Sequence, residues 1–322
     1  SACSVLAGEQ QCSSGVSAIT SGSGTTSLPS RLKVITAFLA IYVIWGSTYL
    51  AIRFGVETIP PFLMAGIRFV LAGSLLFFVE LRRGSPLPTR AQWRSAAIIG
   101  GLLLLIGNGG VTWAELSIPS GVTALLIGTS PLWFVVLDWL LFNGGRPTRQ
   151  TSLGLAVGLC GVVLLVGPDR ILEGGGLSIS GILVLMIATA AWAGGSLYSR
   201  RAPLPASPFM ATAIEMLAGG GLLLVLSLIL GEPFHVDSDS VTMKSVLALG
   251  YLFLFGSLVG FTAYVWLLRV STPARVSTYA FVNPVIAVLL GWTLGGEEMT
   301  GRMLIAALII VVGVVLIVVR KK

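Results

Sequence analysis

The chain has 322 residues, of which 55% are hydrophobic and only 10% are charged. Because soluble domains usually carry about 25% charged residues, this composition excludes a water-soluble globule and predicts an integral membrane protein. The net charge of +7 does not indicate a nucleic-acid partner, because the basic residues lie mostly in short gaps between apolar runs and form no patch with interleaved aromatic residues.

The first thirty residues contain sixteen Ser, Thr or Gly residues and a single charged residue, Glu9. Such a segment cannot bury enough apolar area to fold. It also lacks the basic region and compact apolar core of a secretory signal. We therefore expect residues 1–32 to form a disordered Ser/Gly-rich tail.

A series of apolar stretches begins at residue 34, each long enough to cross roughly 30 Å of hydrocarbon as a helix. They predict ten transmembrane helices, at residues 34–56, 61–81, 93–115, 119–142, 150–167, 177–200, 205–231, 242–268, 272–294 and 301–319.

The distribution of basic residues supports this count. Fifteen of the twenty Lys and Arg residues fall at the termini or in every second gap, whereas the opposite gaps hold only Arg170, Lys244 and Arg302 together with most of the acids. Basic residues collect on the cytoplasmic side of a membrane protein. The alternation predicts that both the N-terminus and the C-terminus are cytoplasmic.

A run of residues in the first half of the chain returns in the second half. Trp45, Arg53 and Pro61-Phe62 recur 147 positions later as Trp192, Arg200 and Pro208-Phe209. An odd number of predicted helices separates the two copies, so the second copy enters the bilayer in the opposite orientation. This is the pattern of an inverted-repeat transporter. It divides the chain into a first five-helix repeat, residues 33–168, and a second, inverted one, residues 169–322.

Two longer strings make the relationship more specific. Tyr42-Val-Ile-Trp-Gly-Ser-Thr-Tyr-Leu-Ala-Ile-Arg-Phe-Gly-Val in the first half and Tyr279-Ala-Phe-Val-Asn-Pro-Val-Ile-Ala-Val-Leu-Leu-Gly in the second resemble the EamA family of the drug/metabolite transporter superfamily, especially its YedA-like exporters. The resemblance covers residues 34–320. It implies ten helices in two inverted repeats of the EamA type, a central cavity, and export of small metabolites or amino acids. The second half ends a helix with Gly296-Glu297, whereas the first half has Asn143-Gly-Gly at that position.

Charged residues inside a membrane span are candidates for function, because each is costly to insert. Arg68 and Glu215 occupy the same repeat position, each seven residues after its helix-starting proline. They could be satisfied by neighbouring backbone and hydroxyl groups, bind a carboxylate or amine of the substrate, or carry protons. A direct salt bridge between them would need tilted helices or long reach.

Polar and aromatic residues within the predicted helices complete the candidate substrate site. The full set is Trp45, Tyr49, Arg68, Asn108, Thr112, Trp113, Trp192, Glu215, Tyr264, Tyr279 and Asn283. A few donors and acceptors among aromatic walls suit a zwitterionic ligand. The alternative is that Trp and Tyr anchor the helices at the interfaces while Thr and Asn join helices together.

Two prolines fall well inside corresponding helices of the two halves, Pro131 in the fourth and Pro284 in the ninth. An interior proline removes one backbone hydrogen bond. We expect each helix to break or kink there, either as a feature of packing or to line the site.

Together these features predict a secondary transporter of the bacterial inner membrane that exports small metabolites by alternating access. The favoured substrates are amino acids, aromatic ones among them, or related amphiphiles. The alternatives are an exporter of drugs or cationic compounds and a non-transporting scaffold or sensor subunit. The single histidine and three cysteines supply no metal-binding spacing and no catalytic group. We expect no enzyme activity, cofactor, metal or nucleic acid. The expected partners are a small-molecule substrate and the lipid bilayer, with proton coupling left open and a monomer or weak homodimer as the assembly.

Overall fold

The structure is a computed structural model that describes residues 31–142, 146–166, 178–236 and 240–318. Within these ranges the regular structure is entirely helical. The main helices are α1 (Arg31–Gly55), α2 (Pro61–Arg82), α3 (Arg90–Ala114), α4 (Ser120–Leu141), α5 (Arg149–Val166), α6 (Ile179–Ser199), α7 (Pro208–Ile229), α8 (Met243–Val270), α9 (Tyr279–Leu294) and α10 (Gly301–Val318). The predicted tail lies almost wholly outside the described residues.

Most of these helices are suited to a bilayer. In the described ranges, α1, α2, α3, α4, α6, α7 and α8 are long and apolar enough to cross a membrane, while Val282–Leu294 and Gly301–Gly313 are shorter apolar segments. Large apolar side chains such as Leu39, Leu183 and Leu308 are more than half exposed on the outside of the bundle. An apolar exterior of this kind is typical of a protein surrounded by lipid.

Two predicted helix starts differ from the structure for local reasons. The third helix begins at Arg90 rather than 93, because Thr89 and Gln92 form a reciprocal capping box. The ninth predicted helix is divided into a short helix, Pro273–Val276, and α9, which starts at Tyr279.

The packing of the helices links the two halves of the chain. The closest pairs are α2 with α7 and α5 with α10, followed by α1 with α9 and α6 with the Gly101–Asn108 segment of α3. Helix α3 packs on α7, and α8 packs on α2. Each of these contacts therefore joins one helix from residues 33–168 to one from residues 169–322.

The antiparallel pair α2 and α7 is joined at both ends by glutamates. Glu232, just after α7, accepts hydrogen bonds from the amides of Phe62 at 3.3 Å and Leu63 at 2.7 Å, at the start of α2. At the other end, Glu80 near the end of α2 accepts a hydrogen bond from the hydroxyl of Ser207, the residue that caps α7. A carboxylate at a helix N-terminus satisfies unpaired amides and stabilises the positive end of the helix dipole.

A third glutamate holds the start of α4. Glu297, which follows α9, accepts hydrogen bonds from the amide of Ser120 at 2.7 Å, from its hydroxyl at 2.6 Å, and from the amide of Gly121 at 3.0 Å. The sequence of the first half has Asn143 and two glycines in place of this Gly-Glu pair. The first half of the sequence therefore has no glutamate at the position that corresponds to Glu297.

Corresponding helices of the two halves depart from regular α-helical geometry. Residues Gly101–Asn108 of α3 and Leu252–Phe261 of α8 form wider π-helical turns. The pattern of apolar residues does not indicate these turns. Such turns are frequent at functional sites, and both segments contribute to the cavity described below.

The two interior prolines behave differently. Helix α4 is interrupted at Gly128 and Thr129, and Pro131 stands in the first turn of the part that follows. Of the predicted break or kink, the break does not occur in α9, which runs through Pro284 without interruption because a proline removes only one helical hydrogen bond and the flanking turns are retained. The interruption packs on this helix: a Cβ added at Gly128 would lie 3.2 Å from Pro284 Cγ.

Glycines allow α5 and α10 to touch through their backbones. A Cβ added at Gly313 would lie 2.5 Å from the amide nitrogen of Gly158 and 2.8 Å from the carbonyl oxygen of Gly154. Small residues let helices approach closely in membranes. The Gly154 and Gly158 face is thus used for packing within the chain.

Candidate functional site

A central cavity of about 70 Å³ lies among helices from both halves. Its walls are mostly apolar and aromatic, with a few polar groups and one charged side chain, as expected of a small-molecule site. The lining residues are Trp45, Thr48, Tyr49, Ile52, Arg68, Phe69, Gly107, Asn108, Val111, Ile127, Ser130, Ala188, Thr189, Trp192, Gly256, Phe261 and Tyr279.

One face of α1 supplies four of these residues. Trp45, Thr48, Tyr49 and Ile52 are spaced by three, one and three positions, the spacing that places side chains on a single helical face. Thr48 turns its hydroxyl back to the carbonyl oxygen of Trp45 at 2.7 Å. The face therefore presents a mainly aromatic and methyl surface to the cavity.

Four aromatic rings from α1, α6, α8 and α9 form one cluster. The Trp45 ring lies 5.5 Å from Trp192, 4.9 Å from Tyr264 and 5.4 Å from Tyr279, measured between ring centroids. The indole nitrogen of Trp192 donates to the Tyr264 hydroxyl at 2.9 Å, and that hydroxyl also bonds Ser196 at 2.6 Å. These bonds fix the orientation of the Trp192 ring at the cavity wall.

Arg68 is the charged residue of the cavity lining. It is 2% exposed, and its Nη2 donates a hydrogen bond to Asn108 Oδ1. Its guanidinium carbon also lies 4.4 Å from the centroid of the Phe69 ring. Thr112, one turn beyond Asn108, donates to the Asn108 carbonyl at 2.8 Å and does not line the cavity. The end of the α3 π-helical turn thus provides the side-chain acceptor for a buried cation.

Glu215 lies in a different cavity. This second cavity has a volume of about 410 Å³ and is lined by polar and apolar groups that include Arg200 and Arg269. Glu215 is 1% exposed, and neither of its carboxylate oxygens has a hydrogen-bond partner in the described part of the chain. Arg269 instead donates to the carbonyls of Ala206 at 2.9 Å and Pro205 at 3.1 Å.

The structure therefore separates the two buried charges that occupy the same repeat position. Arg68 belongs to the central cavity and Glu215 to the second one, and no salt bridge joins them in the described ranges. Their different surroundings indicate different roles.

The remaining candidate residues lie next to the cavity rather than on its surface. Tyr264 is fully buried behind Trp192, and Trp113 packs against the apolar core near the other end of α3. Asn283 is 2% exposed, and its amide nitrogen is placed to donate to the carbonyls of Tyr279 at 3.2 Å and Tyr42 at 3.1 Å. Asn283 thereby connects α9 to α1.

The structure adds lining residues that the candidate set did not contain. Thr189 and Ala188 lie three and four residues before Trp192, and Thr48 lies three after Trp45, so helical spacing from the two tryptophans could have found them. Ser130 reaches the cavity through the interruption of α4, and Gly256 and Phe261 reach it through the π-helical turn of α8; the residue pattern does not indicate either feature.

Comparison with known proteins places the chain among transporters. The EamA-like transporter family matches two segments, residues 32–167 and 179–319, which correspond to the two halves. A protein of known crystal structure is similar in fold, with a TM-score of 0.61 and 23% sequence identity, over 89% of this chain and 96% of that one.

Three curated relatives have informative names. The chain is 43% identical to the uncharacterized inner membrane transporter YedA of Escherichia coli, over 90% of this chain and 92% of the relative. It is 30% identical to protein PecM of Dickeya dadantii, over 87% and 92%. It is 26% identical to a probable amino-acid metabolite efflux pump of Salmonella typhimurium, over 84% and 91%.

These matches confirm the predicted family and the location in the bacterial inner membrane. They also agree with the expectation that the protein is not an enzyme, since the matching family and the relative YedA are named as transporters. The chain belongs to the EamA-like transporter family.

Proposed function

We propose that this protein is a secondary transporter that exports small amphiphilic metabolites, amino acids foremost, from the bacterial cytoplasm by alternating access. The observation that carries the proposal is the central cavity, which is enclosed by helices of both halves. Its aromatic walls and few placed polar groups suit a ligand with an apolar body and a polar end. The name of the Salmonella relative, a probable amino-acid metabolite efflux pump, agrees with this class of substrate.

The proposal includes a topology of ten spans in two inverted repeats of five, with both termini cytoplasmic. The recurring sequence run and the alternation of basic gaps support it. The packing supports it too, because α2 pairs with α7 and α5 with α10, and each of these pairs consists of corresponding helices of the two repeats.

The small volume of the central cavity bears on the transport cycle. About 70 Å³ holds several water molecules. In alternating access the helices around the cavity separate on one side of the membrane to admit the substrate. Glu215, buried beside the second cavity, is the group through which a proton gradient would act on that movement.

Flux into proteoliposomes tests the proposal. The purified protein should move labelled phenylalanine or leucine across the membrane. Replacing Trp192 with Leu should lower the flux about tenfold, because the cavity wall loses its ring and its bond to Tyr264. Trp292, a tryptophan of α9 that is 54% exposed, supplies the matched control, and Trp292→Leu should leave the flux unchanged. Failure to move any amino acid or other metabolite would instead favour the non-transporting scaffold.

A further inference from the structure

The central cavity contains a cation without a carboxylate partner. Arg68 is the charged residue among its lining residues, and no carboxylate oxygen of the described chain lies within 4.0 Å of its guanidinium group. Its Nη2 is bonded to the neutral amide of Asn108, and its Nε has no hydrogen-bond partner there. The protein thus buries a positive charge that makes no direct contact with a carboxylate of the described residues.

The acids nearest to this region lie outside the cavity lining. Glu115 is fully buried, and its carboxylate, which has no hydrogen-bond partner among the described residues, attracts Arg68 from a distance greater than a direct contact. Glu215 faces the second cavity, and Glu297 is engaged at the start of α4. A ligand in the central cavity therefore meets a guanidinium group and no carboxylate.

The chemistry of this lining defines what it can hold. A guanidinium group matches the planar geometry of a carboxylate and can bind both of its oxygens. The surrounding rings of Trp45, Tyr49, Trp192 and Tyr279 favour an aromatic or aliphatic body. A substrate with only a positive charge would be placed beside the Arg68 guanidinium, while Glu115, the acid that attracts Arg68, lies outside the lining.

We propose that the central cavity recognises carboxylates, with Arg68 as the residue that binds the carboxylate group, and that an ammonium group on the substrate is dispensable. The inference rests on the proposed transport function and narrows its substrates to anions and zwitterions with an apolar body. Aromatic or aliphatic carboxylic acids are bound at least as well as the matching amino acids, and compounds that carry only a positive charge are excluded.

Four ligands with similar ring and chain sizes test the proposal by binding. They are 3-phenylpropionate, phenylalanine, 2-phenylethylamine and 3-phenylpropanol, titrated into the purified full-length protein and followed by tryptophan fluorescence, since Trp45 and Trp192 line the cavity. The two carboxylates should bind at least about tenfold more tightly than the amine and the alcohol. Equal binding of the amine, or failure of both carboxylates to bind, would overturn the proposal.

Variants of Arg68 test whether this residue causes the preference for carboxylates. Arg68→Gln should abolish the preference for carboxylates, and Arg68→Lys should retain part of it, because the charge remains but the fork of donors is lost. Arg94→Gln, which removes an exposed arginine at the start of α3, is the matched control and should keep the full preference. If Arg68→Gln does not fold, the ranking of the four ligands on the unchanged protein and on Arg68→Lys decides the question.

Transport of the same ligands separates this proposal from the one on which it rests. Carboxylate-selective binding without any flux in proteoliposomes would contradict the transport function and leave the recognition of carboxylates standing. Flux that does not distinguish the amine from the carboxylates would contradict the recognition of carboxylates and leave the transport function standing.

Discussion

The central cavity and the second cavity contain the same position of the repeat, occupied by opposite charges. Arg68 and Glu215 each follow a helix-starting proline by seven residues, and each is nearly fully buried. Arg68 has an amide partner, Asn108, and aromatic neighbours, whereas both oxygens of Glu215 are without a partner in the described ranges. The repeat therefore determines where a side chain lies along its helix, while the neighbours that are not repeated determine its chemistry.

The largest expected effect on stability comes from removing the side-chain partner of Arg68, which would leave it, like Glu215, without a hydrogen-bond partner in the described part of the chain. Asn108→Leu removes the side-chain acceptor of a buried guanidinium, which should lower the free energy of unfolding by about 2–3 kcal/mol. Thermal unfolding of the purified protein in detergent measures it. In the control, Thr112→Val removes hydrogen bonds to the Asn108 backbone carbonyl at 2.8 Å and to Asn108 Oδ1 at 3.4 Å but keeps the bond from Arg68 to Asn108, and it should cost less than about 1 kcal/mol. Equal costs for the two variants would mean that Asn108 does not stabilise the charge.

A second variant tests whether the wall of the central cavity is as tightly packed as the structure indicates. A Cβ added at Gly260 of α8 would lie 2.6 Å from Trp45 Nε1, so Gly260→Ala should displace the Trp45 ring at a cost of about 1–3 kcal/mol. It should also alter tryptophan fluorescence and weaken ligand binding. Gly250 in the same helix has open space at its Cβ, and Gly250→Ala should leave stability and binding unchanged or slightly improve stability. Similar effects of both alanines would remove the evidence for this packing.

The smallest effect on the free energy of unfolding is expected at the second cavity, where the direction of the change is the informative result. Glu215→Met replaces an unpartnered buried acid by an apolar side chain of similar length and should raise the free energy of unfolding by about 1 kcal/mol. If Glu215 carries protons, the same variant should lose any acceleration of flux by a pH gradient while exchange of substrate continues. A clear loss of thermal stability would show instead that Glu215 makes a favourable interaction, and the contrast with Arg68 would no longer hold.

Much of the architecture could be predicted from the sequence, because apolar length and charge alternation are strong constraints in a membrane. The helices of the described ranges lie close to the predicted spans, and the family was identified from two short strings. The start of α9 differed from the prediction because a turn separates it from the short helix Pro273–Val276, and hydropathy does not detect such a turn.

The cavity itself was only partly predictable. Trp45, Tyr49, Arg68, Asn108, Trp192 and Tyr279 were recognised as polar or aromatic residues inside spans, and the structure places them on one surface. The separation of Glu215 from Arg68 was not evident, because sequence spacing gives depth along the membrane but not the direction in which a side chain points. Thr112 and Asn283 have the residue types of a site but do not line the cavity; Thr112 bonds to Asn108, and Asn283 faces the carbonyls of Tyr279 and Tyr42.

The glycine contact between α5 and α10 has a mechanical consequence. Their backbones meet at Gly158 and Gly313 without intervening side chains, so neither helix can slide or rotate against the other by repacking side chains. Any movement that preserves this contact carries the last helix of the first repeat together with the last helix of the second. In the proposed transport cycle, α5 and α10 therefore belong to one moving body, although they come from different halves of the chain.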